Sequence, residues 1–377
     1  MKVAGLIFSN IHDGCIPEMT HFRTMASIPF GCRYRLIDFA LSNMVNSGIT
    51  NVGIITHYNY RSLLDHIGTG KDWDLSRRSG GIKIISPYVT AFENQVSGKM
   101  YENRLEAIVG ASSFIKRCGA DYIVMSDCDV ILNIDLNEVV EDHINSGAYI
   151  TLVTKKLKSS LLTTEKNMKV VKIGENNRVL DIVNYKKGQR DINVNTNIMV
   201  ISRFDLEELI SDVLSHSYRD LTDDLFLKKL KKKLFRAWCY DGWYDYISSL
   251  ESYFKVSMKL LTPEAREGLF YSGGRRIYTK LRNSAPVKYS SGAMVKNSLI
   301  ADGCTIEGCV ENSILFRGVH VGKGSVVRNS ILLQDTFVSN DADINCTIAD
   351  KNVVIKDSRR LSGHDTMPFF ITKGTVV

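Results

Sequence analysis

The sequence predicts a doubly wound α/β domain followed by a parallel β-helix of hexapeptide repeats. Three observations carry this. Short apolar runs without alternation, such as Val3–Phe8 and Tyr122–Met125, alternate with segments of helical spacing, the pattern of buried strands covered by helices on both faces. The phrases Val295-Lys-Asn-Ser-Leu, Val310-Glu-Asn-Ser-Ile and Val327-Arg-Asn-Ser-Ile, with Ile344-Asn-Cys-Thr-Ile as a fourth version, recur every 15 to 17 residues. Within this region Ile300 to Ile306, Leu315 to Val321 and Val338 to Ile344 step by six, and such hexads stack into about four coils that bury their apolar corners on one another.

The first strand, Val3–Phe8, is followed by a loop, a helix from Arg35 to Gly48 and a second strand, Asn51–Thr56. In that helix Leu36, Ile37, Leu41, Met44 and Val45 share one face and Gly48 supplies the C-terminal stop,. Ser62–Ile67 reads as a short helix and Gly81–Ser86 as a third strand. Leu105, Ile108, Val109, Ser112 and Ile115 line one helix ended by Gly119; the strand Tyr122–Met125, the helix Leu136–Ile144 and the strand Tyr149–Thr154 follow. Beyond Lys155 the pattern changes. Lys169–Gly174 and Arg178–Val183 read as a hairpin, Ile198–Ser202 as a strand, and Asp205 as the cap of an amphipathic helix,. A helix over Leu250–Leu261 is stopped by Pro263,. The expected organisation is an α/β domain over 1–262, a linker over 263–288 and a β-helix over 289–377. In an open α/β sheet the ligand lies at the carboxyl ends of the strands.

The 377 residues carry a net charge of +7, mild enough to exclude any argument for nucleic acid and compatible with phosphorylated ligands. The basic run Lys228–Arg236 reads as a solvated helix end,. Eight cysteines without a CxxC pair point to free thiols and a cytoplasmic protein,. The opening apolar run is too short for a signal peptide or a membrane span. His57, His66, His320 and Trp238 read as structural, His320 as solvent-facing, and no spacing suggests a nucleophilic triad,.

Three stretches together carry a resemblance. Pro29-Phe30-Gly31 through Asn46-Ser47-Gly48, then Ile67-Gly-Thr-Gly-Lys-Asp-Trp-Asp-Leu75, then Val310–Gly318 resemble the glucose-1-phosphate adenylyltransferase (ADP-glucose pyrophosphorylase) family over nearly the whole chain. The resemblance implies a Rossmann-like nucleotidyltransferase domain and a left-handed β-helix. It also implies ATP and glucose 1-phosphate as substrates, ADP-glucose and diphosphate as products, and Mg²⁺ held by aspartates. Arg33, Arg35 and Asp38 at the head of the Arg35–Gly48 helix become candidate ligand-binding residues.

The departures from the family sit where its chemistry lies. Its Gly-Gly-x-Gly turn is replaced by Ser9-Asn10-Ile11-His12-Asp13-Gly14-Cys15, with one glycine. Met25 stands at the place of the phosphate-binding lysine and is expected to face the triphosphate site. The family's metal aspartate in Ser-Gly-Asp-His falls on Asp127 or Asp129 of Ser126-Asp-Cys-Asp129, and counting back from Asp135 favours Asp129. Its second metal aspartate falls on Tyr246, with Asp245 one residue earlier. Of its sugar-binding Glu-Lys-Pro only Lys186 offers a substitute. Losing several members of one preorganised site leaves little to work with. This combination resembles the GlgD-type regulatory subunits of the family, which implies a heterotetramer with a catalytic paralogue in glycogen biosynthesis. Two further readings stand beside it: an active adenylyltransferase with a displaced site of Asp129, Asp245, Arg23 and Lys186 and Mg²⁺ as cofactor, and a sugar-nucleotide sensor. The resemblance also allows ATP, glucose 1-phosphate or a sugar-phosphate effector as ligand.

Overall fold

The computed structural model describes residues 1–86, 103–158, 168–215, 218 and 221–377, with backbone alone at 223–225. The N-terminal domain contains, in order, β1 (Val3–Phe8), α1 (Pro17–Thr20), β2 (Pro29–Phe30), β3 (Tyr34–Arg35), α2 (Leu36–Asn46), β4 (Asn51–Ile55), α3 (Arg61–Ile67) and β5 (Gly81–Ile85). It continues with α4 (Arg104–Gly110), α5 (Ser112–Arg117), β6 (Tyr122–Asp127), β7 (Val130–Leu132), α6 (Leu136–Ser146) and β8 (Ile150–Lys158). Then come β9 (Lys169–Ile173), β10 (Val179–Asn184), β11 (Asp191–Ser202), α7 (Arg203–Ser215), α8 (Leu227–Leu230), β12 (Phe235–Cys239), β13 (Tyr244–Tyr246), α9 (Leu250–Lys259) and α10 (Pro263–Phe270).

β6, β1, β4 and β5 form the parallel heart of a nine-stranded sheet, and the long β11 joins β6 antiparallel. β8, β9, β10 and β12 extend the sheet around β11, so the whole is mixed. Alternate residues of β1 face two cores. Ile7 belongs to the same core as Leu41 and Met44 of α2, whereas Leu6 and Phe8 belong to the core that holds residues of α4, α5 and α7. Helices on both faces are what the unalternating strands require.

The helix expected over 105–115 is two helices broken at Ala111. Ser202, not Asp205, opens α7: its Oγ accepts the Asp205 N–H at 3.0 Å and donates to the Asp205 carboxylate at 2.5 Å. Pro263 both ends α9 and begins α10, where its missing N–H costs nothing,. The first part of the stretch expected as linker, residues 263–270, is thus helical. Gly48 has the predicted left-handed φ of +71° just past α2,.

From Lys288 the chain winds as a left-handed parallel β-helix of three sheets, each with five short strands. The fifth coil, ending at Phe369–Ile371, escaped the repeat count because it carries no Asn-Ser phrase. The phrase itself has a physical basis. Asn297, Asn312, Asn329 and Cys346 all sit at φ between 42° and 46°, a region asparagine enters more readily than most residues. Ser298, Ser313 and Ser330 each accept the N–H of the equivalent residue one coil on, at 3.1 Å. The residues that follow, Leu299, Ile314, Ile331 and Ile348, point away from the coil interior and pack into the N-terminal core. His320 is half-buried, its ring stacked on Phe337 at 4.4 Å.

Candidate functional site

At the carboxyl end of β1 the loop is held together by its own side chains. Asn10 Oδ1 accepts from Ser9 Oγ at 2.7 Å, Thr56 Oγ1 at 2.7 Å and the His57 N–H at 3.1 Å. Asn10 Nδ2 donates to Asp13 Oδ2 at 2.6 Å, and Asp13 Oδ1 accepts the Met25 N–H at 2.6 Å. The N–H groups of Asp13, Cys15 and Ile16 bond to carbonyls within the loop. A phosphate-cradling turn keeps such groups free for the anion; here they are consumed. The cavity bordered by Phe8, Ser9, Asn10, Ile55, Thr56 and His57 has a volume of about 10 Å³, room for roughly one water. Burial pushes the Asp13 carboxyl up to about 7, although the Met25 N–H, Asn10 and His12 oppose the shift.

β6 ends at Asp127, and Asp129 follows one residue after Cys128. His12 Nε2 lies 2.7 Å from Asp127 Oδ2 and 3.3 Å from Asp129 Oδ2. Arg104, from the first turn of α4, also pairs with Asp127 Oδ2, and its guanidinium lies 5.6 Å from the centre of the Phe8 ring. Both aspartates are buried. Burial disfavours the charged forms of His12 and Asp127, but Asp129 and then Asp127 outweigh it at His12, which is raised, and Arg104 and then His12 outweigh it at Asp127, which is lowered. Asp129 is pushed up to about 6, chiefly by burial and then by Asp127, with His12 pulling the other way.

The two expected metal aspartates do not meet. β13 pairs antiparallel with β7, placing Tyr246 opposite Val130 and Asp245 opposite Ile131. Successive strand residues point to opposite faces. Tyr246, raised by burial and by the nearby Asp129, lies on the Asp129 side. Asp245 instead accepts from Lys259 Nζ at 2.8 Å. Mg²⁺ takes oxygen ligands in near-ideal octahedra and is held between carboxylates and substrate phosphates. A histidine nitrogen among the carboxylates, a tyrosine in place of the second one and a closed loop do not fit it.

The remaining candidates scatter. Met25 is not at a cleft but in the core, 1% exposed. Arg23 is buried and paired with Asp350 of the β-helix, its Nη2 2.8 Å from both carboxylate oxygens. Lys186 is exposed beyond β10, three strands from β6 in the sheet. The displaced site of Asp129, Asp245, Arg23 and Lys186 is thus not assembled. Asp38 is fully buried: it accepts the Arg35 N–H at 3.0 Å and pairs with His66 Nε2 at 2.6 Å, bracing the start of α2.

Arg33 and Arg35 do come together, at a cleft between the domains shared with Arg282, Arg317 and Lys351. Arg35 is anchored by Nη1 to the Ser62 carbonyl at 2.5 Å and to Ser62 Oγ at 2.9 Å. Burial, with Arg23 and Arg282 close by, lowers Arg35 to about 10 despite Asp38. Burial and then Arg35 and Arg23 lower Lys351 to about 7, with Asp350 opposing. The cleft thus gathers five basic side chains, of which Arg35 and Lys351 are lowered by burial and by neighbouring cations. Arg317, Gln334 and Lys351 are 17 residues apart in turn, so the coil period alone puts them on one corner, a signal the sequence reading left unused. His12 and Arg104 were missed for another reason: the loop was read for the glycines it lacks.

The fold is that of a nucleotidyltransferase domain followed by a hexapeptide β-helix. A nucleotidyl transferase family model matches residues 18–262, and a model for GlmU-like C-terminal hexapeptides matches residues 285–377. The chain is 31% identical to "Glycogen biosynthesis protein GlgD" of Bacillus subtilis, covering 100% of this chain and 97% of that protein. It is 33% identical to the GlgD protein of Geobacillus stearothermophilus, with 100% and 97% covered. A glucose-1-phosphate adenylyltransferase of Fervidobacterium nodosum is 30% identical, with 96% of this chain and 86% of the relative covered. The chain belongs to the nucleotidyl transferase family, in the branch of the glucose-1-phosphate adenylyltransferases and GlgD proteins. Among the described residues no helix is long and apolar enough to cross a membrane.

Proposed function

We propose that this protein acts in glycogen biosynthesis as a non-catalytic or weakly catalytic regulatory subunit of a glucose-1-phosphate adenylyltransferase. The observation that carries the reading is that Asp245, the candidate for a second metal carboxylate, is engaged by Lys259, while the carboxylates at the end of β6 are met by His12 and Arg104. The phosphate transfer needs a triphosphate cradle and a divalent ion between carboxylates. The closed Ser9–Ile16 loop and the His12 and Arg104 cations at Asp127 support the absence of both. The fold and its surfaces serve a heterotetramer with a catalytic paralogue in the cytoplasm, a location supported by eight free thiols. The basic interdomain cleft of Arg33, Arg35, Arg282, Arg317 and Lys351 supports a phosphorylated effector there.

The test is ADP-glucose formation from ATP and glucose 1-phosphate with Mg²⁺, by the purified chain alone and mixed with a catalytic relative. The expected result is negligible turnover alone and a mixture more active, or more responsive to a sugar phosphate, than the relative by itself. Turnover by the isolated chain at the level of a catalytic subunit would overturn the reading in favour of an active enzyme with a displaced site.

A further inference from the structure

We propose that the first coil of the β-helix is a docking surface for a non-identical β-helix chain, one whose end coil is apolar at its centre and carries carboxylates at its rim. The proposal rests on assembly with a second kind of chain and not on the loss of catalysis.

The coil interior is open at this end. β14 (Lys288–Tyr289), β15 (Met294–Lys296) and β16 (Leu299–Ile300) are the edge strands of the three sheets. Tyr289 continues the inward column of Ile306, and Val295 that of Val310. Ile306 and Val310 are 0% and 1% exposed, whereas Tyr289 and Val295 are 54% and 39% exposed, with Met294 beside them at 66%. At the opposite end the Tyr289 column stays covered. Ile355 there is buried, Val376 bridges to Val354, and Val377 packs against the same core. A terminal coil that faces solvent needs a polar outer face. This one instead presents the apolar residues that inner coils bury, together with strand edges, and both are satisfied by another layer of strands.

Charge decides the occupant. From Tyr271 to Ala301 the chain carries six lysines and arginines and no aspartate or glutamate. Two of them, Lys288 and Lys296, lie on the edge strands and are exposed. Lys296 meets Glu311 of the next coil at 3.1 Å, yet its side chain remains 81% exposed. A second copy of this chain would close on the end coil about a two-fold axis, so that the same patch meets itself. Lysine would then face lysine with no carboxylate on either first coil, and lysines on strand edges are a device against self-pairing. A partner with aspartate or glutamate at the facing positions covers the apolar columns and pairs the lysines at once. The first coil therefore selects against its own copy and for a different chain.

The experiment mixes the full chain with the catalytic paralogue of the same cell and follows sedimentation and hydrogen exchange. The amides of residues 288–296 are expected to gain protection in the mixture. They are expected to gain none in the chain alone as its concentration is raised, and the mixed complex is expected to weaken with salt. Tyr289→Ser, and separately Lys288→Glu combined with Lys296→Glu, are each expected to weaken the mixed complex at least tenfold. Thermal midpoints equal to wild type show that these variants are folded. Self-association through residues 288–296 would overturn the assignment, as would a mixed complex that leaves them unprotected and tolerates both variants. In the latter case, raised turnover of the mixture leaves the regulatory reading standing. If no mixed complex forms, the docking surface and the assembly with a paralogue both fall.

Discussion

Arg23 and Asp350, 327 positions apart, form a buried bidentate ion pair that joins the N-terminal loop to the β-helix. Their side chains are 3% and 1% exposed, and Arg23 Nη1 finds no further partner among the described residues. Removing one member of such a pair strands the other charge, at a cost of about 3–5 kcal/mol. Arg23→Ala and Asp350→Ala are each expected to lower the unfolding free energy by that amount, read from a lower denaturant midpoint, and Arg23→Met with Asp350→Leu to recover much of it. Single variants within about 1 kcal/mol of wild type would mean that the pair is solvated.

Met25 bears on whether the lost chemistry can be restored. Its side chain packs in the core that includes Ile28, Phe30 and Leu36, and its N–H is tied to Asp13. Met25→Lys therefore puts an ammonium into an apolar core instead of offering a cation to a nucleotide. It is expected to destabilise the fold by several kilocalories per mole, seen as a lower unfolding midpoint, and to leave ATP binding undetectable by calorimetry. A variant as stable as wild type that binds ATP would show that the loop opens readily.

How much was legible follows from where the determinants lie. Strands and helices of the N-terminal domain were visible because burial on two faces writes itself into each local segment. The β-helix was visible because its turns repeat. Whether Asp245 or Tyr246 faces Asp129 depends on a one-residue register between β13 and β7, which no local pattern encodes. The five cations of the interdomain cleft come from two domains, so only the tertiary arrangement gathers them, although the 17-residue step from Arg317 to Lys351 was readable.

The repeat also makes a stability prediction. Asn297 Nδ2 donates to Asn312 Oδ1 at 2.8 Å, but at the fourth place Cys346 holds φ 46° and Asn329 Nδ2 turns to Asn345 Oδ1 at 2.9 Å. Left-handed backbone costs most residues roughly 1–2 kcal/mol and asparagine less. Cys346→Asn is expected to stabilise by about 0.5–1 kcal/mol, read as a higher thermal midpoint. A lower midpoint would show that the thiol packs better than the amide ladder bonds.

Lys351 makes the interdomain cleft pH-sensitive. Burial and the arginines around it bring its amine to about 7, so it is neutral above that pH and charged below it. Arg33, Arg282 and Arg317 line the same cleft, and Arg35, at about 10, keeps its charge across this range. Asp350 is held by Arg23, and His66 is lowered by burial while paired with Asp38. The free energy has a definite sign. A lysine depressed in the folded state binds fewer protons there than when unfolded, so its contribution to stability falls as pH drops from about 10.5 toward 7,. Anion binding runs the other way, because protonation adds a donor. Sulfate is the right probe, since a phosphate monoester changes its own charge near pH 6. Its dissociation constant is expected to fall by about tenfold between pH 8.5 and 6, the worth of one charged hydrogen bond. In Lys351→Gln the same titration is expected to be flat, and an equal pH response in that variant would assign the effect to another group.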